Sequence, residues 1–396
     1  MQRNPPPSRT STSPRAAEPA KTRTDTARAG QDDSGRPGTG IDEPDTGRPG
    51  TGTHPQDAAT GGLGARLRRA LRHATRPGPW KRGRVLAALA LLLGLLLPLH
   101  ARITDRAGLG SLVETFLPWS GLGVLVLLAA ALRRRSATAL AALLVPVTVW
   151  LSLFGGLLGD KSHPGGDLTL VGHNVGADNP DPAGTARALA ASHADVLALE
   201  EITARARPLY EKALAATYPY HSVQGTVGLW STLPLSDVRP VDTKMDAGPL
   251  GEAKPADVKL AYTRALRATV ATDRGPLAVY VAHLGSVRVL PTGFWTGSRD
   301  RNAGALADAL AAERNQRMVL LGDLNGTADD RALAGITSRL RSAQDEAGSG
   351  FGFSWPAAFP VARIDQILVR GVRPESSWVL PATGSDHLPV AARISL

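Results

Sequence analysis

The chain has 396 residues, 43% hydrophobic and 20% charged, long enough for two or three structural units. It has no cysteine, which excludes disulfides, thiolate metal sites and a cysteine nucleophile, so any metal must rest on oxygen or imidazole ligands. The net charge of +10 gathers before residue 159 and the remainder is close to neutral, giving no bulk electrostatic reason for tight, sequence-independent binding to a polyanion.

Residues 1–62 are rich in Pro, Gly, Ser, Thr, Asp and Arg and nearly empty of large apolar side chains, which predicts a disordered tail. The string GRPGTG occurs at 35–40 and again at 47–52, which reads as low-complexity drift. Residues 63–84 form a basic juxtamembrane segment with Arg66, Arg68, Arg69, Arg72, Arg76, Lys81, Arg82 and Arg84. Leu63, Leu67 and Leu71 recur every four residues, which suits an amphipathic helix on an anionic membrane surface.

Residues 85–158 are predicted to hold three transmembrane helices, in apolar runs at 85–101, about 109–132, and 137–158. Glu114 is the charge that interrupts them, near one end of the second run. The first run, short and with a basic flank, also fits a cleaved signal peptide. Lys and Arg are retained on the cytoplasmic side, and the two strong clusters are the stretch before Val85 and the triplet Arg133, Arg134, Arg135. Three spans then give a multi-pass protein with a cytoplasmic N-terminus and everything after Leu158 outside the cell membrane.

Residues 159–396 alternate short β-rich runs with Ala-rich helical stretches, an α/β pattern. Strands are expected at 168–172, 196–199, 277–282, 318–321, 364–369 and 390–394, with a helix at 184–192. Polar residues recur at the strand ends: Asn174; Glu200 and Glu201; His283; Asp323 and Asn325; Asp365; Asp386 and His387. Such residues converge on one edge of a sheet, where α/β enzymes carry their sites. Singly each has a bland explanation, since Asp and Asn cap turns and carboxylates favour helix starts. The ordered series DVLALEE, AHL, VLLGDLN, RIDQIL and GSDHLPV after Asn174 does not.

At these residues the sequence resembles the endonuclease/exonuclease/phosphatase superfamily, over about residues 167–396. The resemblance implies an α/β four-layer sandwich of two β-sheets flanked by helices, hydrolysing phosphoesters with Mg²⁺ or Mn²⁺. It implies a metal site at Glu201 with Asn174 and Asp386, Glu200 standing where the family pattern usually has Gln. The catalytic residues implied are Asp323 to orient and deprotonate the attacking water, Asn325 to donate to the phosphoryl group, His387 with Asp365 fixing its ring, and His283 as an acid toward the leaving oxygen. Substrate-binding residues are Asn325 and Arg264; Arg264 and Arg267 suit cationic contacts to phosphate or, as is commoner for Arg at a strand end, a solvated edge. Thr232, in GLWSTLPLSD, replaces an Arg of the family pattern. In the segment 287–299, Phe294 and Trp295 stand between arginines and suit either a packed surface loop or a lip touching lipid headgroups.

With its preceding apolar runs the chain also resembles the VanJ-type membrane proteins linked to teicoplanin resistance. The function expected is a membrane-anchored, divalent-metal-dependent phosphoesterase acting on a phosphorylated envelope lipid such as undecaprenyl pyrophosphate. A surface nuclease acting on nucleic acid is a less favoured alternative. A non-catalytic binding module in glycopeptide resistance is another.

Overall fold

The computed structural model describes residues 77–243, 263–291 and 293–396. The predicted tail, the GRPGTG repeat and the basic segment as far as residue 76, with Leu63, Leu67 and Leu71, lie outside the described residues. After a short helix α1 (Pro77–Lys81) come α2 (Arg84–Leu99), α3 (Leu109–Thr115), α4 (Ser120–Arg133) and α5 (Ala137–Phe154). Arg84–Arg102 and Ala137–Leu157 are each long and apolar enough to cross a membrane. The middle run is not one straight helix: Arg106–Thr115 and Leu117–Arg133 meet at a bend of 66°. The break is local chemistry, since Phe116 leaves helical geometry and Pro118 restarts the chain at the first turn of a 3-10 segment, where its missing N–H costs nothing.

α2, α4 and α5 pack together around Ala90, Val124, Ala131, Ala139 and Leu143. At one end of this bundle the Ser136 hydroxyl caps α5 by accepting from the Ala139 N–H and donates to the Arg82 carbonyl at 2.6 Å, so Arg82 and the Arg133, Arg134, Arg135 triplet share that end. The C-terminal half docks at the other end, where the Trp119 indole N–H donates to the Val361 carbonyl at 2.8 Å.

That half holds two six-stranded sheets. The first runs β13 (Arg373–Val379), β14 (Val390–Ser395), β1 (Leu168–Asn174), β2 (Val196–Glu200), β4 (Val227–Ser231), β3 (Tyr220–Gln224). The second runs β11 (Arg341–Ser342), β12 (Asp365–Arg370), β10 (Met318–Asp323), β7 (Gly275–Ala282), β6 (Ala265–Thr272), β5 (Leu235–Pro240). Both are mixed: β1 pairs parallel with β2 and antiparallel with β14, and β10 parallel with β7 and antiparallel with β12. A hairpin, β8 (Arg288–Leu290) and β9 (Gly293–Trp295), stands apart.

Alternation along the strands builds the layers. In β2, Val196 and Ala198 face the space between the sheets, while Leu197 and Leu199 face α6 (Pro182–Ala190) and α7 (Arg207–Leu214). In β10, Val319 and Leu321 face inward, and Met318 and Leu320 face α8 (Gly297–Ala311). Continuous apolar strands such as VLAL are what burial on both faces demands. The result is the expected pair of sheets flanked by helices.

Candidate functional site

The same alternation assembles the site. Extending the inward register past Val196 and Ala198 reaches Glu200, past Val319 and Leu321 reaches Asp323, and past Leu170 reaches Asn174; counting back from Ile367 reaches Asp365, and forward from Val281 reaches His283. Strand pairing then sets these ends level, Asn174 opposite Glu200 and Asp323 opposite Asp365. The glycine of GDLN is required here. Gly322 has φ +151°, and a Cβ on it would stand 1.9 Å from the Ala282 carbonyl oxygen, so only glycine lets β10 run this close to β7 and bring Asp323 beside His283.

Asp323 lies at the centre. Its Oδ2 accepts from the Asn174 amide at 3.0 Å and its Oδ1 from the Asn325 backbone N–H at 2.9 Å. The Nε2 atoms of His283 and His387 lie 3.7 and 3.8 Å from Asp323 Oδ2. His387 Nδ1 donates to Asp365 at 2.9 Å, and Asp365 in turn accepts from the Ser354 hydroxyl at 2.6 Å. Asn325 is turned the other way, its amide donating to the Leu284 carbonyl at 3.0 Å. Glu201 and Asn325 both hold left-handed backbone, φ 61° and 48°, which costs on the order of 1–3 kcal/mol each in a non-glycine residue. At Glu201 that reversal breaks the alternation: Glu200 is buried between the sheets, whereas Glu201 turns into the pocket, accepts from the Ala177 N–H at 2.8 Å and lies 3.6 Å from His283 Nε2.

Burial and the neighbouring Asp365 push the Asp323 carboxyl up to about 7. Burial opposes charge on His387 too, but Asp365 outweighs it by its charge and its hydrogen bond, and the imidazole is raised to about 10. His283, fully buried and close to Arg264 and His387, is held well below the usual histidine range. The two histidines are therefore different species at neutral pH, His387 an imidazolium and His283 a neutral ring whose nitrogens have no hydrogen-bond partner among the described residues. Burial, then Asp365 and Asp323, raise Glu200 well above the carboxylate range, and neither of its oxygens has a hydrogen-bond partner among the described residues. A protonated Glu200 has the shape of glutamine, which accounts for Glu in the position where the family pattern usually has Gln.

The donor set suits a hard divalent cation. Carboxylate oxygens of Asp323 and Asp365 and a ring nitrogen of His387 lie within 4.8 Å of one another, and Glu201 and Asp386 open into the same pocket. Desolvated carboxylates held this close repel one another, and a cation would relieve it. Because Asp365 already holds His387 Nδ1 and Asp323 accepts from Asn174 and Asn325, the carboxylates of Glu201 and Asp386 are the freer ligands.

The pocket, about 390 Å³, has a wall that the sequence did not reveal. Leu112, Thr115 and Phe116, from α3 and the bend after it, face Asp323, Asn325 and His387, with Phe294 beside them. Gly108 makes room for this: it has φ +71°, and a Cβ there would stand 2.3 Å from the Phe294 carbonyl oxygen. The hairpin β8–β9 thus packs on the connector between the apolar runs. Arg299 belongs to no lip. It is 1% exposed, donates to Asp330 at 2.7 Å, to the Ser111 hydroxyl of α3 at 3.1 Å and to the Asn325 carbonyl at 3.0 Å, and so pins the site loop to the connector.

Arg264 precedes β6, with its carbonyl accepting from the His283 N–H at 2.8 Å; burial lowers its guanidinium against the charge of nearby Glu201. Arg267 is not a phosphate contact. It is buried and bound to Glu313 at 3.0 Å and to Asp237, because that strand position faces α8 rather than the gap. Thr232 bonds to Asp195, at the opposite end of β2 from Glu200, so the missing Arg does not alter this pocket.

The family model for the endonuclease/exonuclease/phosphatase family matches residues 171–387. No curated protein matches the chain in sequence. Among solved structures it is similar to a conserved protein of unknown function from Enterococcus faecalis, at 14% identity over 58% of this chain and 99% of that one, with a TM-score of 0.47. It is also similar to a mannosyl-6-phosphatase from Bacteroides thetaiotaomicron, at 15% identity over 58% and 100% with a TM-score of 0.45. A third is sphingomyelinase C from Streptomyces griseocarneus, at 19% identity over 57% and 98% with a TM-score of 0.43. The matched segment spans the series from β1 to His387, and the chain belongs to the endonuclease/exonuclease/phosphatase family, hydrolases of phosphoesters that generally depend on a divalent cation.

Proposed function

We propose that this protein is a membrane-anchored, Mg²⁺- or Mn²⁺-dependent phosphoesterase that cleaves a phosphorylated envelope lipid, such as undecaprenyl pyrophosphate, outside the cytoplasmic membrane. The observation that carries this reading is the shared pocket: Asp323, Asn325 and His387 face Leu112 and Phe116 of the connector between apolar runs. A substrate reaching Asp323 lies against the bundle, which favours a lipid headgroup over a polynucleotide. Orientation is supported by Arg82 and the Arg133, Arg134, Arg135 triplet sharing the end of the bundle remote from the pocket, since Lys and Arg stay on the cytoplasmic side. The architecture resembling VanJ-type proteins agrees with this arrangement.

In this reading Glu201 and Asp386, with Asn174 alongside, would hold the cation, which when bound would supply positive charge to neutralise the phosphoryl group and polarise the ester. Asp323, fixed by Asn174 and Asn325, orients the attacking water and takes its proton. His387, charged and aimed by Asp365, stabilises the charge that grows on the phosphoryl and leaving oxygens. His283 is neutral, so its part is a hydrogen bond from the ring N–H rather than delivery of a proton from an imidazolium. Arg264 contacts the phosphate oxygens, and Asn325, its side-chain amide held by the Leu284 carbonyl, positions Asp323 through its backbone N–H.

The test is phosphate release by the full chain in detergent with Mg²⁺, comparing undecaprenyl pyrophosphate, phospholipids and plasmid DNA. Metal-dependent release from a lipid phosphate supports the reading. Nicking of plasmid without lipid turnover would replace it with a surface nuclease.

A further inference from the structure

Beside the catalytic pocket lies a second cavity of about 450 Å³ with a different lining. It runs along the bundle between α4 and α5, walled by Leu122, Leu125 and Leu128 of α4, spaced to form one helix stripe, and by Val147 and Trp150 of α5. Phe351 and Phe353, from the sandwich half, cover one end. Phe353 stacks on Trp119 at 5.7 Å and on Phe351 at 5.2 Å, and Phe351 packs against Trp150 at 6.4 Å. The groove and the catalytic pocket share their boundary segments: the pocket reaches Phe116 and Trp355, and the groove begins at Pro118, Trp119 and Phe353. The 66° bend falls at this junction.

The two cavities have no lining residue in common but adjoin along these segments, forming a tract with carboxylates and imidazoles in one part and aliphatic and aromatic carbon in the other. Its apolar end opens where Leu122 and Leu125 are exposed on the bundle surface, the surface that lipid chains cover in a membrane. We propose that this groove holds the hydrocarbon chain of a phosphate-bearing lipid whose headgroup lies in the catalytic pocket, an inference that rests on the phosphoesterase reading above. A tail leaving the bilayer gains little by solvation alone, because its surroundings are apolar in both places. The groove therefore acts by presentation: it fixes where the headgroup emerges relative to Asp323, and substrates without a long tail lose that alignment.

The experiment compares dimethylallyl, farnesyl and undecaprenyl pyrophosphates, which share a headgroup and differ in tail, with full-chain protein in nanodiscs. Wild-type kcat/KM is expected to rise with tail length, and Leu125→Trp, which fills the groove, is expected to cut the preference for the undecaprenyl over the dimethylallyl ester by about tenfold or more. Equal preference in variant and wild type would overturn the groove. In parallel, an undecaprenyl phosphate bearing a diazirine along its tail is photolysed with wild-type protein and the labelled peptides are sequenced. Labelling confined to α4, residues 147–151 of α5 and residues 351–353 supports the groove even if no ester is hydrolysed, an outcome that would sink the phosphoesterase reading alone. Labelling spread over the outer face of α2 overturns it.

Discussion

The carboxylate of Glu114 accepts from the Arg331 guanidinium Nε–H at 2.8 Å and from the Arg331 backbone N–H at 3.1 Å, joining the middle apolar run to the loop that follows GDLN. Glu114 is fully buried, and the same guanidinium donates to the His100 carbonyl at 2.9 Å and to that of Ile103. A charge that looks misplaced in an apolar segment is the point where the helical region grips the sandwich. Removing one member of a buried pair strands its partner, at a cost of about 3–5 kcal/mol where both are enclosed. Arg331 is 26% exposed, so Glu114→Ala is expected to cost about 2–3 kcal/mol. A double-mutant cycle with Arg331→Ala, read by thermal unfolding in detergent, should show the two losses to be strongly non-additive. Additive losses would mean the pair does not couple the two halves.

Asp323 sits in conflict between stability and chemistry. Its folded-state carboxyl titrates near 7 against about 3.8 when unfolded, so its ionisation favours the unfolded chain. The sign is that of a raised group: its contribution to stability is intact below about pH 3.8 and is lost as pH rises through about 7. At pH 8 in chelator, Asp323→Asn is therefore expected to raise the melting temperature by about 2–5 °C, while lowering turnover by at least about a hundredfold. A lower melting temperature in chelator would contradict this account of the site.

His387 offers a separate handle through Asp365. With the carboxylate present the imidazole is held up to about 10, and it stays charged across the neutral range. Asp365→Asn removes the charge and leaves only a neutral amide oxygen to accept from His387, so the alkaline limb of the pH–rate profile should move to lower pH by one unit or more, with turnover near pH 7 down about a hundredfold. An unshifted limb would show that His387 does not act as a cation.

Outside the site, Glu313 accepts from Arg267 at 3.0 Å, from the Tyr280 hydroxyl at 2.9 Å and from the Asn315 N–H at 2.8 Å. Burial alone would raise its carboxyl, but these donors win and lower it to about 2. As a depressed group, its stabilising effect is present above its unfolded value near 4.5 and is lost as pH falls through about 2. Glu313→Gln should cost about 2 kcal/mol at pH 7, a cost that shrinks below pH 4 and has mostly gone near pH 2. A cost independent of pH would place the loss in packing instead.

What could be read from sequence was local. The strands that end in Asn174, Glu200, Asp323 and Asp365 announce themselves by apolar runs closing on polar residues, and period-two geometry sends those residues to one gap. The bend at Phe116 has a local signal in Pro118, masked in sequence by the apolar residues that continue on either side of it. Pairings across long stretches of chain left no pattern. Ser111 and Asp330, joined at 2.8 Å, are 219 residues apart, and Arg299 beside them looks in sequence like any loop arginine. Arg267 was misjudged because a cation near a strand end says nothing of which face it takes. The lone Glu114 was the one mark that the apolar region had a polar partner elsewhere.

The wall that α3 lends to the pocket has a kinetic meaning. In the reading proposed above, a site completed by its own anchor would move with the bilayer and work in two dimensions. Its rate would then follow the mole fraction of substrate in the membrane rather than the amount per volume of solution, and diluting the surface with inert lipid would slow it at constant bulk concentration. Under that proposal the connector containing Leu112 and Phe116 would make the membrane part of the enzyme's concentration scale.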